Sequence, residues 1–385
     1  MIKKRKYALY YSKSFLFFFF SVPFCALTDA EIMGQTPQYD PSPFITWCLN
    51  DQAPPEIKKT IEALKLLSQS SECTEAEENL LNLDRIDLNE KGISDLRPLA
   101  GFKNLKTLDL STNQITDISP LNTLTNLKDL TLSGNPIKNL KSIRNLTDLD
   151  ALVIWGTLIR DTEDIQLFKN LTYLNIGNTE LADLTFVPRL TKLKTLFLND
   201  NSITDLAPIS SMTGLTWLDF SGNLIQDITP LSNLKNLVYL YFDRNEVEDI
   251  SIIRNLHQLR RLSFHANRVR HIVALESLRY LHVLGIGWNQ IRYLHPVENN
   301  KELIALDASF NQIKDLTPLY ETKNLHDLRL SGNRIEDVSP VATLTNLEYL
   351  YLEGNPLAEG IVGKNPDNCP TDDQTPKVLR DFCLN

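Results

Sequence analysis

Leucine recurs along this chain at a fixed step. From Leu83, every twenty-second residue is leucine, through Leu105 and Leu127 to Leu347, thirteen in all, with no insertion or deletion. Numbering each unit from that leucine, position 4 is Leu except at Ile86, and position 6 is large and apolar except at Ala308. Position 11 is always Ile, Leu or Val. The alternation around positions 4 and 6 predicts a short strand with one buried face, because successive side chains along a strand point to opposite sides. A strict period of this length is the mark of a solenoid, in which units too small to bury a core alone stack on their neighbours. Parallel strands stacked about 4.8 Å apart would give a sheet about 60 Å long.

The polar positions explain the turns between strands. Position 9 is Asn in ten of the thirteen units: 113, 135, 201, 223, 245, 267, 289, 311, 333 and 355. After the strand the chain must turn inward, which takes backbone donors and acceptors out of water, and buried backbone groups must be paired. A carboxamide donates and accepts at once, so a stacked column of Asn can satisfy them. Position 13 is usually Asp, as in Asp117 and Asp205, and position 16 is often Pro, as in Pro120, Pro208 and Pro340. The Asp-x-x-Pro-Leu segment therefore predicts a short turn or 3₁₀ piece on the convex side, since 22 residues leave little room for a helix.

The end units need caps. Pro54-Pro55-Glu56 predicts a helix to about Gln69 with Ile57, Ile61, Leu64 and Leu67 on one face. Thr74-Glu75-Ala76-Glu77 has the form of a capping box opening a second helix that carries Leu80 and Leu81. Beyond Leu357 the 22-residue pattern fails. The predicted fold class is α/β: a leucine-rich-repeat solenoid, a curved horseshoe with a parallel concave sheet, a short helical N-terminal cap and a disulfide-stapled C-terminal cap. The predicted organisation is a signal peptide over residues 1–30, a linker and helical cap over 31–82, thirteen repeats (the last partial) over 83–357, and a C-terminal cap over 358–385.

The unit LKTLDLSTNQITDISPLNTLTN, residues 105–126, resembles the internalin class of bacterial leucine-rich repeats, and the resemblance runs over about residues 50–357. Asp117-Ile118-Ser119-Pro120-Leu121 makes it specific, because the Leu–Asn skeleton alone is shared with other families such as cytoplasmic phosphatase regulators. Internalins hold a host surface protein on the concave face, and that is what the resemblance implies here. The expected departures are the lack of a wall-sorting tail, an immunoglobulin-like domain or wall-binding modules after the repeats, and disulfide caps at both ends.

Composition and charge refine this picture. Of the 385 residues 42% are hydrophobic, which excludes global disorder, and the formal charge is −9. An acidic whole chain argues against nucleic acid as the partner, since phosphate binding needs excess Lys and Arg. Lys3, Lys4, Arg5, Lys6 and Lys13 precede or enter an apolar run, Phe15 to Phe24, that is too short to span a bilayer but suits a secretory signal. Cleavage after Ala26 or Ala30 is expected; a lipid on Cys25, which bulky Phe24 disfavours, and an uncleaved anchor are the alternatives. Loss of residues 1–30 removes five positive charges and one negative (Asp29), leaving −13. Of the other four cysteines, Cys48 and Cys73 precede the repeats and Cys369 and Cys383 follow them. Three connectivities are possible. Pairs at opposite ends of a rod predict Cys48–Cys73 and Cys369–Cys383, bonds suited to an oxidising compartment.

The solvent-facing strand positions are 3, 5 and 7, with position 8 at the rim. Most are polar, but one block carries Tyr173, Phe197, Trp217, Tyr239 and Tyr241. Exposed apolar patches mark interaction sites, and Trp, Tyr and Arg dominate binding hot spots. The next unit carries Arg260, Arg261, Arg268, Arg270 and Arg279 against Glu276, with His265 and His271 added. The candidate ligand-binding set is therefore Tyr173, Phe197, Trp217, Tyr239, Tyr241, Arg261 and His265, with the rings expected to point to water. Trp288 and Phe310 at position 8 extend the platform or cover the rim. Thr157 and Thr179 replace the column Asn in adjacent units, a kink or simple repeat decay. Asp109, Asp219, Asp243 and Asp307 face the same side as expected solvated carboxylates, and the six His residues lack metal-ligand spacing. No catalytic residue, metal or cofactor is assigned. The expected function is that of an exported monomer binding a protein partner, with a glycan-binding protein and an intracellular regulatory subunit as alternatives.

Overall fold

The computed structural model describes residues 43–357 and 376–379. The signal segment, Cys25 and the Cys369–Cys383 pair lie outside the described residues. Thirteen three-residue strands, from β1 (Arg85–Asp87) and β2 (Thr107–Asp109) to β13 (Tyr349–Tyr351), form one parallel sheet in sequence order. Their register equals the repeat length: Arg85 pairs with Thr107, and Asp327 with Tyr349. Each position therefore sits beside the same position of the next coil, so any residue type repeated at one position becomes a column.

Seven apolar positions per coil make the core. In residues 105–126 these are Leu105, Leu108, Leu110, Ile115, Ile118, Leu121 and Leu124, all buried, and burial of such a side chain stabilises by about 1.5–3 kcal/mol. Under the middle of the sheet the position-6 rings of Phe220, Phe242 and Phe264 stack face to face at 5.5 and 5.4 Å.

The Asn column satisfies the inward turn. Asn223 Nδ2 donates to the carbonyls of Leu198 and Phe220, both at 2.9 Å, and its Oδ1 accepts from the N–H of Ile203 at 2.9 Å. At Thr157 and Thr179 the hydroxyl keeps the bond within its own coil, to the carbonyls of Ile154 and Ile176. A hydroxyl has one proton, so it cannot also make the amide's second donation. A second Asn column, absent from the sequence-based expectation, runs along position 22: the side chains of Asn104, Asn126 and Asn236 each donate to a carbonyl 23 residues earlier.

Position 13 works as a turn-former. In ten of the twelve coils it spans, an Asp or Asn oxygen accepts the N–H two residues on, as Asp117 does from Ser119 at 2.8 Å. This Asx turn leads the chain into a 3₁₀ turn in every coil. Position 8 is left-handed in all thirteen coils, although only five carry Gly there; Glu90, Thr112, Asp200, Arg244, Trp288 and Phe310 are among the others, with φ of 53–57°.

The N-terminal cap consists of α1 (Pro43–Cys48), α2 (Pro55–Ser68) and α3 (Cys73–Leu81). Helix α1 was not expected; its buried Phe44 meets Phe102 of the first coil at 5.9 Å. A disulfide joins Cys48 to Cys73, so α1 and α3 are tied end to start. The expected capping box does not form. Cys73 already begins the helix, which puts Thr74 inside it, and the residue at the helix start, Glu72, makes no side-chain cap bond.

Candidate functional site

The aromatic residues scattered over 173–241 converge because the register aligns them. Strands β5 (Tyr173–Asn175), β6 (Thr195–Phe197), β7 (Trp217–Asp219) and β8 (Tyr239–Tyr241) lie side by side. Ring centroids follow in a continuous row: Tyr173–Phe197 at 5.6 Å, Phe197–Trp217 at 5.4 Å and Trp217–Tyr239 at 4.7 Å, with Tyr241 at 6.3 Å from Trp217. The rings do not stand free in water as expected. All five are half-buried, because each covers the next. The Trp217 indole N–H is buried with no partner among the described residues, a condition that costs roughly 1–3 kcal/mol unless an acceptor is supplied.

Asp219 corrects a second expectation. Far from being a solvated carboxylate, it is 8% exposed, lodged in the aromatic row with its Oδ1 accepting the N–H of Ser221. Burial raises its pKa to about 6, with Asp243 and Asp200 adding repulsion and the bonds from Ser221 opposing. Asp243 on the neighbouring coil accepts from the Ser263 hydroxyl and from the N–H of His265. Burial also pushes the Tyr241 phenol up, an effect the adjacent Arg261 guanidinium partly reverses.

Arg261 opens β9 (Arg261–Ser263), is exposed, and borders the row next to Tyr239. His265 is not a free edge group. Its ring lies over Gly285 and Gly287, where any Cβ would collide with it, and its Nδ1 accepts the Gly287 N–H at 2.9 Å. The other basic residues of that unit leave the row. Arg268 pairs with Glu246 at 3.1 Å, Arg270 donates to Gln290 Oε1, and Arg260 faces the Tyr280 ring at 6.0 Å. The basic block is thus divided between faces, and Arg261 alone of its arginines joins the aromatic row. Trp155 sits at position 7 with 41% of its surface exposed and leans over Gly177, one coil before the row begins. Trp288 and Phe310 stack at 4.0 Å at the rim, with Phe310 covering Gly332.

Sequence reasoning missed the bridge from Arg244 Nη2 to Asp200 Oδ1, 2.6 Å long and spanning two coils. It passes over Gly222, where a Cβ would lie 2.4 Å from the Asp200 oxygen. The signal was present as Asp, Gly and Arg at consecutive position-8 sites. Among the described residues no group of three or more His, Cys, Asp or Glu is arranged to hold a metal, and no helix is long and apolar enough to cross a membrane.

Residues 81–123, 169–211, 213–255 and 323–361 match the family of leucine-rich repeats in two copies. An internalin from Listeria monocytogenes shares the fold with a TM-score of 0.70 at 27% identity, over 82% of this chain and 98% of its own. The chain is a leucine-rich-repeat solenoid similar to internalins. A leucine-rich-repeat protein of Leptospira interrogans is similar at 26% identity and a TM-score of 0.62, over 74% of this chain and 81% of its own. A plant peptide hormone receptor in complex with RGF2 shares the fold alone, at 20% identity and a TM-score of 0.57, over 66% of this chain and 44% of its own. No curated protein sequence matches the chain. The repeats place the aromatic row and Asp219 on the side of the strands opposite the leucine core.

Proposed function

We propose that the chain is an exported binding protein, rather than an enzyme, that holds a protein partner on the solvent face of its sheet over β5 to β9. The observation that carries this is the unbroken row from Tyr173 to Tyr241. A row of half-buried rings on a rigid sheet loses little conformational freedom on binding, and a partner covering it desolvates a large apolar area. The resemblance to internalins makes a host-cell surface protein the partner of choice, and the basic start and apolar run within residues 1–30 support export.

The test is capture of a partner from host-cell surface extracts by the full chain, followed by titration of variants. Trp217→Ala and Tyr241→Ala should weaken binding by roughly 2–4 kcal/mol, mostly through faster dissociation. Because the rings cover one another, each should also lower stability by about 1 kcal/mol. Arg261→Ala should slow association, and that effect should fade as salt rises. Unchanged partner affinity in both aromatic variants would remove the row from the site, and competition by neutral oligosaccharides would favour a glycan ligand instead.

A further inference from the structure

The repeat provides its own control for what structure alone requires. Position 13 supplies the Asx turn in ten of twelve coils, and the two exceptions are adjacent: His271 and Tyr293. Neither has a carboxylate to accept the N–H two residues on, so both coils give up a bond that the others keep. They also give up two negative charges, next to two arginines. Position 12 is Arg270 and Arg292 in these coils; of the other basic residues at this position, Arg160 and Lys314 stand beside Asp161 and Asp315, and Lys138 beside the neutral Asn139, which keeps the turn bond.

The result is a groove on the flank of the solenoid, about 320 Å³, lined by Arg270, His271, Gln290, Arg292, Tyr293 and Gln312. Arg270 Nε donates to Gln290 Oε1 at 3.0 Å and Arg292 Nε to Gln312 Oε1 at 3.1 Å. Each bond runs to the next coil, so the two guanidiniums are held in equivalent places, one coil apart. Neither enters an ion pair among the described residues. With one lone pair of each Gln oxygen occupied, the guanidinium Nη groups and the carboxamide Nε2 groups are left as donors toward the groove. Glu248 and Asp249 at the equivalent positions one coil before bound this surface, and within it donors on two guanidiniums that no carboxylate pairs suit a ligand of acceptors with negative charge, such as sulfates and carboxylates. The Tyr293 ring, 71% exposed, stands in its lining. Flat exposed rings suit the faces of sugars. Beyond Tyr293 a second groove holds Glu298, paired with His295, and Asp315, so the cationic surface ends there.

We propose that this flank groove binds an anionic polysaccharide, its sulfate or carboxylate groups taken by Arg270 and Arg292. The site is separate from the aromatic row on the sheet face and does not depend on it.

The test is titration of the full chain with a heparin oligosaccharide near physiological ionic strength, with melting followed on the same samples. The double change Arg270→Gln and Arg292→Gln should weaken binding at least about tenfold, the size of one lost charge-assisted contact. The double change His271→Asp and Tyr293→Asp restores the repeat's own turn-former. It should weaken heparin binding by at least as much while raising the melting temperature, which separates ligand recognition from folding. The charge-matched control Lys138→Gln with Lys141→Gln, on exposed lysines of a distant coil, should leave binding within about twofold. Equal loss in that control would reduce the effect to general attraction and overturn the site. Unchanged binding in the arginine variant would do the same, and tighter binding of poly-glutamate than of heparin would assign the groove to acidic peptides.

Discussion

Asn223→Ala tests the column on which every coil depends. Asn223 is 5% exposed and makes three bonds to the backbone at 2.9 Å. Removing its side chain leaves the Ile203 N–H without its acceptor, an orphaned buried donor worth roughly 1–3 kcal/mol. The two carbonyls suffer less, because Leu198 O still accepts from Asn201 and Phe220 O from Asn245, each at 3.0 Å. Adding about 0.5 kcal/mol for each lost second bond gives an expected destabilisation of about 2–4 kcal/mol. Asn223→Thr should cost less, since Thr157 shows that a hydroxyl keeps the bond within the coil. Ser221 is unsuitable as a control, being buried and accepting the N–H of Asp243. Exposed Thr204 serves instead, and Thr204→Ala should stay within about 0.5 kcal/mol. Guanidinium unfolding gives the global change. Long repeat arrays can lose cooperativity, so hydrogen exchange at Ile203 is needed for the local one. If Asn223→Ala and Thr204→Ala cost the same, or if Ile203 stays protected to the wild-type level, the column does not carry the turn.

The folded Asp219 carboxyl, held near pKa 6 by burial, binds its proton more tightly than the unfolded one at about 3.9. It therefore favours folding at low pH, and that contribution is lost as pH rises from about 4 to about 6, a change of up to about 3 kcal/mol. Asp219→Asn should flatten this part of the stability–pH curve relative to wild type, and parallel curves would show the carboxylate to be solvated. Gly222→Ala, at φ +69° beneath the Arg244–Asp200 bridge, should cost about 1–2 kcal/mol from left-handed strain and the displaced ion pair; an unchanged guanidinium midpoint would refute that.

The sequence by itself determined the solenoid, its period and its inward side. Thirteen leucines at one step, with apolar residues at positions 4, 6 and 11 and Asn at position 9, admit one register, because a slip of one residue would turn the core outward. It also placed Tyr173, Phe197, Trp217, Tyr239 and Tyr241 on one face, since in a repeat of fixed length position number is spatial address. Tertiary structure decided what the residues at those addresses do. Whether a ring stands in water or covers its neighbour depends on side-chain volume across adjacent strands, which is why the row is half-buried and Asp219 sinks to 8% exposure between its rings. The basic unit divides for a similar reason: positions 2, 3, 10 and 12 are close in sequence, but the turn after the strand sends them to different sides. Left-handed backbone at position 8 was hidden because residues as different as Trp288 and Glu90 adopt it. There the stacked coils fix the turn and override local preference, a constraint that no single unit contains.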